Sequence, residues 1–243
     1  MTCELLSWYI ALLDKVKKRY LKNKHRWRNV VKKVWIFDCD GVLRNFSWHG
    51  VYRAYIEIAR HFGCYESFVQ KYPDIISFRG MCSHDWHKNL AVMGIHGEKN
   101  AGIANDIFTR VYFSQVHMFT WVPDIIAQIA QKHIVAVFSN SSEKSVHKSL
   151  QNVREYVAMI LGHEQVTHLK PSPEGIYCIM KRFASDAKDV IMIGDSDADI
   201  LSGKNAGVKT ALVEWGATDT EKEQVALGAD VIVRDPKELP YIF

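Results

Sequence analysis

From Val34 onward the chain alternates two apolar patterns. Val34–Phe37, Ile134–Phe138, Val157–Leu161, Val190–Ile193, Lys209–Val213 and Asp230–Val233 are short, nearly continuous apolar runs. Continuous apolar character over so few residues predicts strands buried on both faces of a parallel sheet. Between most of them lie segments with helical spacing: Asp124–Lys132, Glu143–Leu150, Pro173–Phe183 and Ala198–Ala206. Strand and helix in alternation predict a doubly wound α/β fold with a Rossmann-like parallel sheet.

Two intervals depart from this rhythm. Between Phe46 and Met118 there is helical periodicity but no buried strand, with Val51–Phe62 the clearest helix, stopped by Gly63. A structureless loop of that length is improbable inside a compact domain, so the interval reads as an inserted helical subdomain. Residues 1–33 form the other departure. Leu5, Tyr9, Leu12, Val16, Tyr20, Trp27 and Val30 recur near a 3.6-residue period. The predicted organisation is a helical arm over 1–33, a core over 34–45 and 119–243, and a helical insert over 46–118.

Charge sharpens the contrast. Residues 1–33 carry seven Lys and three Arg against Glu4 and Asp14, a net +8. The remainder is −4, so the overall +4 describes neither part. Packing against the body or a partner subunit is the use of the arm that its amphipathic pattern favours. The alternatives are an anionic membrane surface, with Leu5, Trp8, Tyr9 and Leu12 inserted, and nucleic acid, which ranks last. The five cysteines are odd in number and show no zinc spacing, and no run of 18 apolar residues occurs. Leu5–Leu13 lacks the flanks of a signal peptide. A reducing, cytoplasmic location is expected.

In an open parallel sheet, function gathers beyond the carboxyl ends of the strands. The first strand runs into Asp38-Cys39-Asp40-Gly41-Val42-Leu43, the second ends in Ser139-Asn140, and the fourth in Gly194-Asp195-Ser196-Asp197-Ala198-Asp199. Lys170-Pro171 precedes the fourth. Carboxylate clusters at neighbouring strand ends repel unless a cation lies between them, and a few hard oxygen ligands suit Mg²⁺. A carboxylate there can attack phosphorus, and a second carboxyl two residues on can move a proton to or from the leaving group. A hydroxyl, a backbone N–H and a lysine can hold the phosphoryl oxygens. Singly, each has a plainer reading: turn residues for Asp38 and Asp40, a helix cap for Ser139-Asn140 or Asp197, a surface position for Lys170, and first-turn acids for Asp195 and Asp199. Cys39 reads as a small apolar filler facing away from the site.

In these four motifs, in their order and spacing, the chain resembles the haloacid dehalogenase superfamily in its phosphatase branch. The resemblance covers roughly residues 34–240. It implies a Mg²⁺-dependent phosphatase acting on a small organic phosphomonoester through an aspartyl-phosphate. It implies Asp38 as nucleophile and metal ligand, and Asp40 as general acid/base with its carbonyl on the metal. Ser139 and Asn140 would bind phosphate, Lys170 would neutralise charge, Asp195 would bind metal, and Asp199 would support the metal waters or Lys170. The insert resembles a C1 cap, with Phe78–Leu90 as its specificity loop. There Arg79 and Gly80 are the substrate-binding candidates, with His84, His87 and Lys88 as weaker ones. Gly194–Gly216 is similar to the phosphoglycolate phosphatase subgroup. The alternatives are a phosphomutase acting on sugar phosphates and a non-catalytic binding protein on the same fold.

Overall fold

The computed structural model describes residues 32–83, 85–216 and 228–243. Residues 1–31 of the predicted helical arm, and with them the arm's expected partners, and His84 lie outside them. All six predicted strands form: β1 (Val34–Phe37), β2 (Ile134–Phe138), β3 (Met159–Leu161), β4 (Val190–Gly194), β5 (Lys209–Val213) and β6 (Val231–Val233). They make one sheet in the order β3-β2-β1-β4-β5-β6, and every pairing is parallel. The central strand β1 runs in register with both neighbours, Val34 opposite Ile134 and Val190.

The sequence VWIF explains why β1 is central. All four side chains are buried, because alternate residues serve opposite faces. Trp35 and Phe37 pack with Val135, Val137, Ile191 and Ile193 on one face, against Ile125, Ile126 and Ile129 of α6 (Val122–Ala130). Val34 and Ile36 pack with Ala136, Phe138 and Met192 on the other, against Ile176 and Ile179 of α8 (Glu174–Phe183). Burying each such side chain contributes about 1.5–3 kcal/mol before the cost of chain ordering. Helices α7 (Glu143–Ser149) and α9 (Asp197–Asn205) complete the core.

Among the described residues the insert holds five helices: α1 (Trp48–His61), α2 (Tyr65–Lys71), α3 (Ile75–Met81), α4 (Trp86–Ala91) and α5 (Glu98–Phe113). Helix α1 begins three residues before the predicted Val51 because the Ser47 hydroxyl accepts from Gly50 N–H at 3.2 Å and caps it. Asp74 and Ser77 form a capping box that starts α3. An aromatic core of Tyr55, Phe68, Phe78 and Tyr112 holds α1, α2, α3 and α5 together. The two chain crossings between core and insert are laced side by side. Asn45 N–H donates to the His117 carbonyl at 3.1 Å, and His117 N–H donates to Asn45 Oδ1 at 2.7 Å.

The predicted Phe78–Leu90 loop is mostly helix. Phe78–Met81 closes α3 and Trp86 opens α4, because Asp85 caps the latter through the Lys88 N–H. Phe78 is fully buried, as an anchor of the insert's core.

Candidate active site

The strand order reverses at β1, so the carboxyl ends of β1, β2 and β4 share one crevice. Asp38 leaves β1 with its N–H on the Ile193 carbonyl at 2.8 Å and its side chain buried. Lys170, itself buried, donates to Asp38 Oδ1 at 2.7 Å and to Asp199 Oδ1 at 2.5 Å. The lysine is placed by Asn140. Its side-chain oxygen accepts from Lys170 N–H at 3.1 Å, and its amide donates to the Lys170 carbonyl at 3.2 Å. Ser139 N–H bonds the Leu161 carbonyl, and its hydroxyl accepts from Ser141 N–H at 3.1 Å.

The charges in this crevice are unbalanced. Burial, reinforced by Asp199 and Asp40, pushes the Asp38 carboxyl up to about 7 despite the opposing charge of Lys170. Burial together with Asp199 and Asp38 raises Asp195 well above the usual carboxylate range. Burial works against the charge of Lys170, but Asp199 and Asp38 outweigh it and hold the ammonium protonated. One lysine therefore faces three acids whose oxygens lie within 4.8 Å of one another: Asp38, Asp195 and Asp199.

A hard divalent cation fits this set, and the hydrogen bonds show which acids are open to it. Both oxygens of Asp199 already accept bonds. Oδ1 takes the Lys170 ammonium, and Oδ2 takes the Ser196 N–H at 3.1 Å and the Ser196 hydroxyl at 2.6 Å. Asp38 and Asp195 are thus the carboxylates that would hold Mg²⁺, with Asp199 behind Lys170. Ser196 and Asp199 form the capping box of α9, so Asp197 is not the cap; it is the first helical residue. Gly41 has φ +76°, and a Cβ there would collide with the Asp195 carboxylate. Cys39 is buried beside Val42 and Leu43 in the apolar core, and burial pushes its thiol far up.

Asp40 brings two unexpected residues into the site. Its carboxylate is gripped by Arg44, Nε to Oδ1 at 2.8 Å and Nη2 to Oδ2 at 3.0 Å, and Ser141 donates to Oδ2 at 2.6 Å. Neither Arg44 nor Ser141 was legible as a site residue. The only sequence signal was an arginine in the apolar stretch after the first motif. Arg79 and Gly80, by contrast, lie exposed on α3, with the Arg79 guanidinium 5.0 Å from the Trp48 ring.

A parallel α/β core with a helical insert after its first strand, and acids at the switch point, defines a class of enzymes. The chain belongs to the haloacid dehalogenase-like hydrolases, whose family model matches residues 35–213. It is 29% identical over 133 residues to the pyrophosphatase PpaX of Oceanobacillus iheyensis, covering 54% of this chain and 62% of that protein. It is 32% identical over 121 residues to the N-acetylmuramic acid 6-phosphate phosphatase of Pseudomonas aeruginosa, covering 49% of this chain and 54% of that one. The chain spans little more than half the length of these relatives. The fold matches that of a predicted phosphoglycolate phosphatase from Haemophilus somnus with a TM-score of 0.66 and 20% identity, over 86% of this chain and 96% of that one. Among the described residues no helix is long and apolar enough to cross a membrane.

Proposed function

We propose that the chain is a Mg²⁺-dependent phosphatase that hydrolyses a small organic phosphomonoester through an aspartyl-phosphate on Asp38. The observation that carries this reading is the Asp38–Lys170–Asp199 relay in a buried crevice, with Asp40 two residues from the nucleophile.

Asp38 attacks phosphorus as the bond to the leaving oxygen breaks, and Asp40 gives that oxygen its proton. Water then attacks the phosphorus of the aspartyl-phosphate and gives its proton to Asp40, which frees Asp38. Lys170 offsets the charge on Asp38 and the phosphoryl group, while the Ser139 hydroxyl and Asn140 backbone N–H hold the phosphoryl oxygens. Asp38, Asp195 and the Asp40 carbonyl would bind the Mg²⁺, which as a Lewis acid offsets phosphoryl charge.

In this reading the core comprises 34–45 and 119–243, and 46–118 is a cap that closes over the site and reads the substrate. The relatives' names span pyrophosphate and a sugar phosphate, which supports a shared core with specificity set by the cap. Phosphoglycolate is a candidate through the Gly194–Gly216 resemblance, with Arg79 and Gly80 on the substrate side. The test is hydrolysis of 4-nitrophenyl phosphate with and without EDTA, beside Asp38→Asn, followed by a panel including phosphoglycolate, pyrophosphate and sugar phosphates. Mg²⁺-dependent turnover that Asp38→Asn abolishes is expected; full activity in that variant would remove Asp38 as nucleophile.

A further inference from the structure

Arg44 is 1% exposed, yet it is a permanent cation. Burying a guanidinium is costly unless every donor finds an acceptor. Here Nη1 donates to the Ser145 carbonyl at 3.2 Å, to the Ser145 hydroxyl at 2.9 Å and to the Ser149 hydroxyl at 2.7 Å. Nη2 also reaches the Ser141 hydroxyl at 3.3 Å. Ser145 and Ser149 are four apart on α7, so both face the same side of that helix. The remaining donors grip both oxygens of Asp40 in a fork. Among the described residues, the one carboxylate that this buried charge bonds is therefore that of the acid/base candidate.

The same residue sits where the cap joins the core. Arg44 forms an isolated β-bridge with Met118, on the segment returning from the cap. The ring of Phe113, the last residue of cap helix α5, lies 5.3 Å from the guanidinium. Arg44 thus touches Asp40, α7 and the end of the cap at once. A side chain held at both oxygens by a fork, and at one of them by a second donor, has lost its rotational freedom.

We propose that Arg44 is a positioning residue for Asp40. Anchored by Ser145 and Ser149 of α7, its guanidinium fixes the direction in which the Asp40 carboxyl meets the leaving oxygen. This inference rests on the phosphatase reading above. General acid–base assistance is worth roughly 10²–10⁴-fold and is needed most where the leaving oxygen departs as a basic alkoxide. Loss of positioning in the first step, which kcat/KM reads, must therefore depend on the leaving group, which a general loss of stability would not; the second step is common to all esters and loses equally.

The experiment compares kcat/KM for 4-nitrophenyl phosphate and for an alkyl phosphomonoester, ethyl phosphate, in the Mg²⁺-loaded protein. Arg44→Gln is expected to lower kcat/KM on the alkyl ester about 100-fold and on the aryl ester less than about tenfold. Arg44→Lys, which keeps the charge but not the fork, should fall between. In an Asp40→Asn background, Arg44→Gln should add less than about twofold on either ester. Should Arg44→Gln fail to fold, Ser149→Ala carries the test. It removes one anchor of the guanidinium and leaves the fork, and should lower alkyl-ester kcat/KM selectively by about three- to tenfold. Equal losses of kcat/KM on both esters, or an effect that multiplies with Asp40→Asn, overturn the role of Arg44 while leaving the phosphatase intact. A wild-type protein inactive on both esters overturns the phosphatase reading itself.

Discussion

Lys170 reaches Asp38 from the far side of the crevice, its ammonium 2.7 Å from Oδ1, across 132 residues of sequence. The pair is buried and is not isolated, since Asp199 grips the same ammonium. Lys170 is thus the group that keeps two neighbouring acids from repelling each other.

Replacing it tests that role. Lys170→Met should cost about 3–5 kcal/mol of stability, because it leaves buried carboxylates without their partner. It should also lower turnover of an aryl phosphate by about 10²–10³-fold, the scale of removing one charge-stabilising donor from a dry site. Urea unfolding and steady-state kinetics measure the two. A loss below about threefold in turnover would show that Lys170 is structural only.

Gly41 couples backbone shape to the candidate metal site. Its φ of +76° costs an alanine about 1–2 kcal/mol, and the added methyl runs into the Asp195 carboxylate. Gly41→Ala should therefore weaken Mg²⁺ binding more than it weakens the fold. Thermal melts with and without millimolar Mg²⁺ separate these effects. The wild type should melt higher with the ion, and Gly41→Ala and Asp195→Asn should lose most of that gain. An unchanged Mg²⁺ shift in both would place the ion elsewhere.

Much of this site could be read from the chain before any coordinates. The strands were legible because their residues are apolar on both faces, as VWIF in β1 illustrates. Asp38, Asp40, Ser139, Asn140, Lys170, Asp195 and Asp199 do meet at the ends of β1, β2 and β4. Arg44 was not legible, because its meaning lies in Ser145 and Ser149, more than a hundred residues away. Nothing in local sequence says that these serines will face it. The resemblance gave Phe78–Leu90 as a loop, but Asp74 and Asp85 cap helices there, and Phe78 is drawn into an aromatic cluster.

The raised Asp38 carboxyl predicts how the metal-free protein responds to pH. Its folded value, about 7, lies above the ordinary 3.8, so the folded state binds this proton more tightly than the unfolded chain. That contribution to stability is complete below the ordinary value and is lost as pH rises through about 7. In EDTA, the wild type should lose stability between pH 5 and pH 8, and Asp38→Asn should lose less. The variant should therefore be the more stable of the two at pH 8, by a margin that Mg²⁺ narrows. Chemical unfolding at the two pH values reads this directly. An Asp38→Asn protein that is less stable than wild type at pH 8 in EDTA would reverse the sign.

Neighbouring residues on α3 should divide stability from specificity. Phe78 is fully buried, with ring centroids 5.0 Å from both Tyr52 and Tyr55 and 6.2 Å from Phe68. Phe78→Ala should cost about 3–5 kcal/mol by the cavity it opens between α1, α2 and α3. Arg79, next in sequence, is exposed and packs on the Trp48 ring, a contact worth about 0.5–1 kcal/mol at an exposed site. Arg79→Gln should leave the melting temperature within about 4 °C of wild type. If Arg79 receives a second anionic group of the substrate, the same change should raise KM at least about tenfold for phosphoglycolate, whose carboxylate would lose its partner, and leave 4-nitrophenyl phosphate unaffected. Equal KM values for both esters in wild type and variant would assign Arg79 to the cap surface and move the search for specificity to the other residues of the insert.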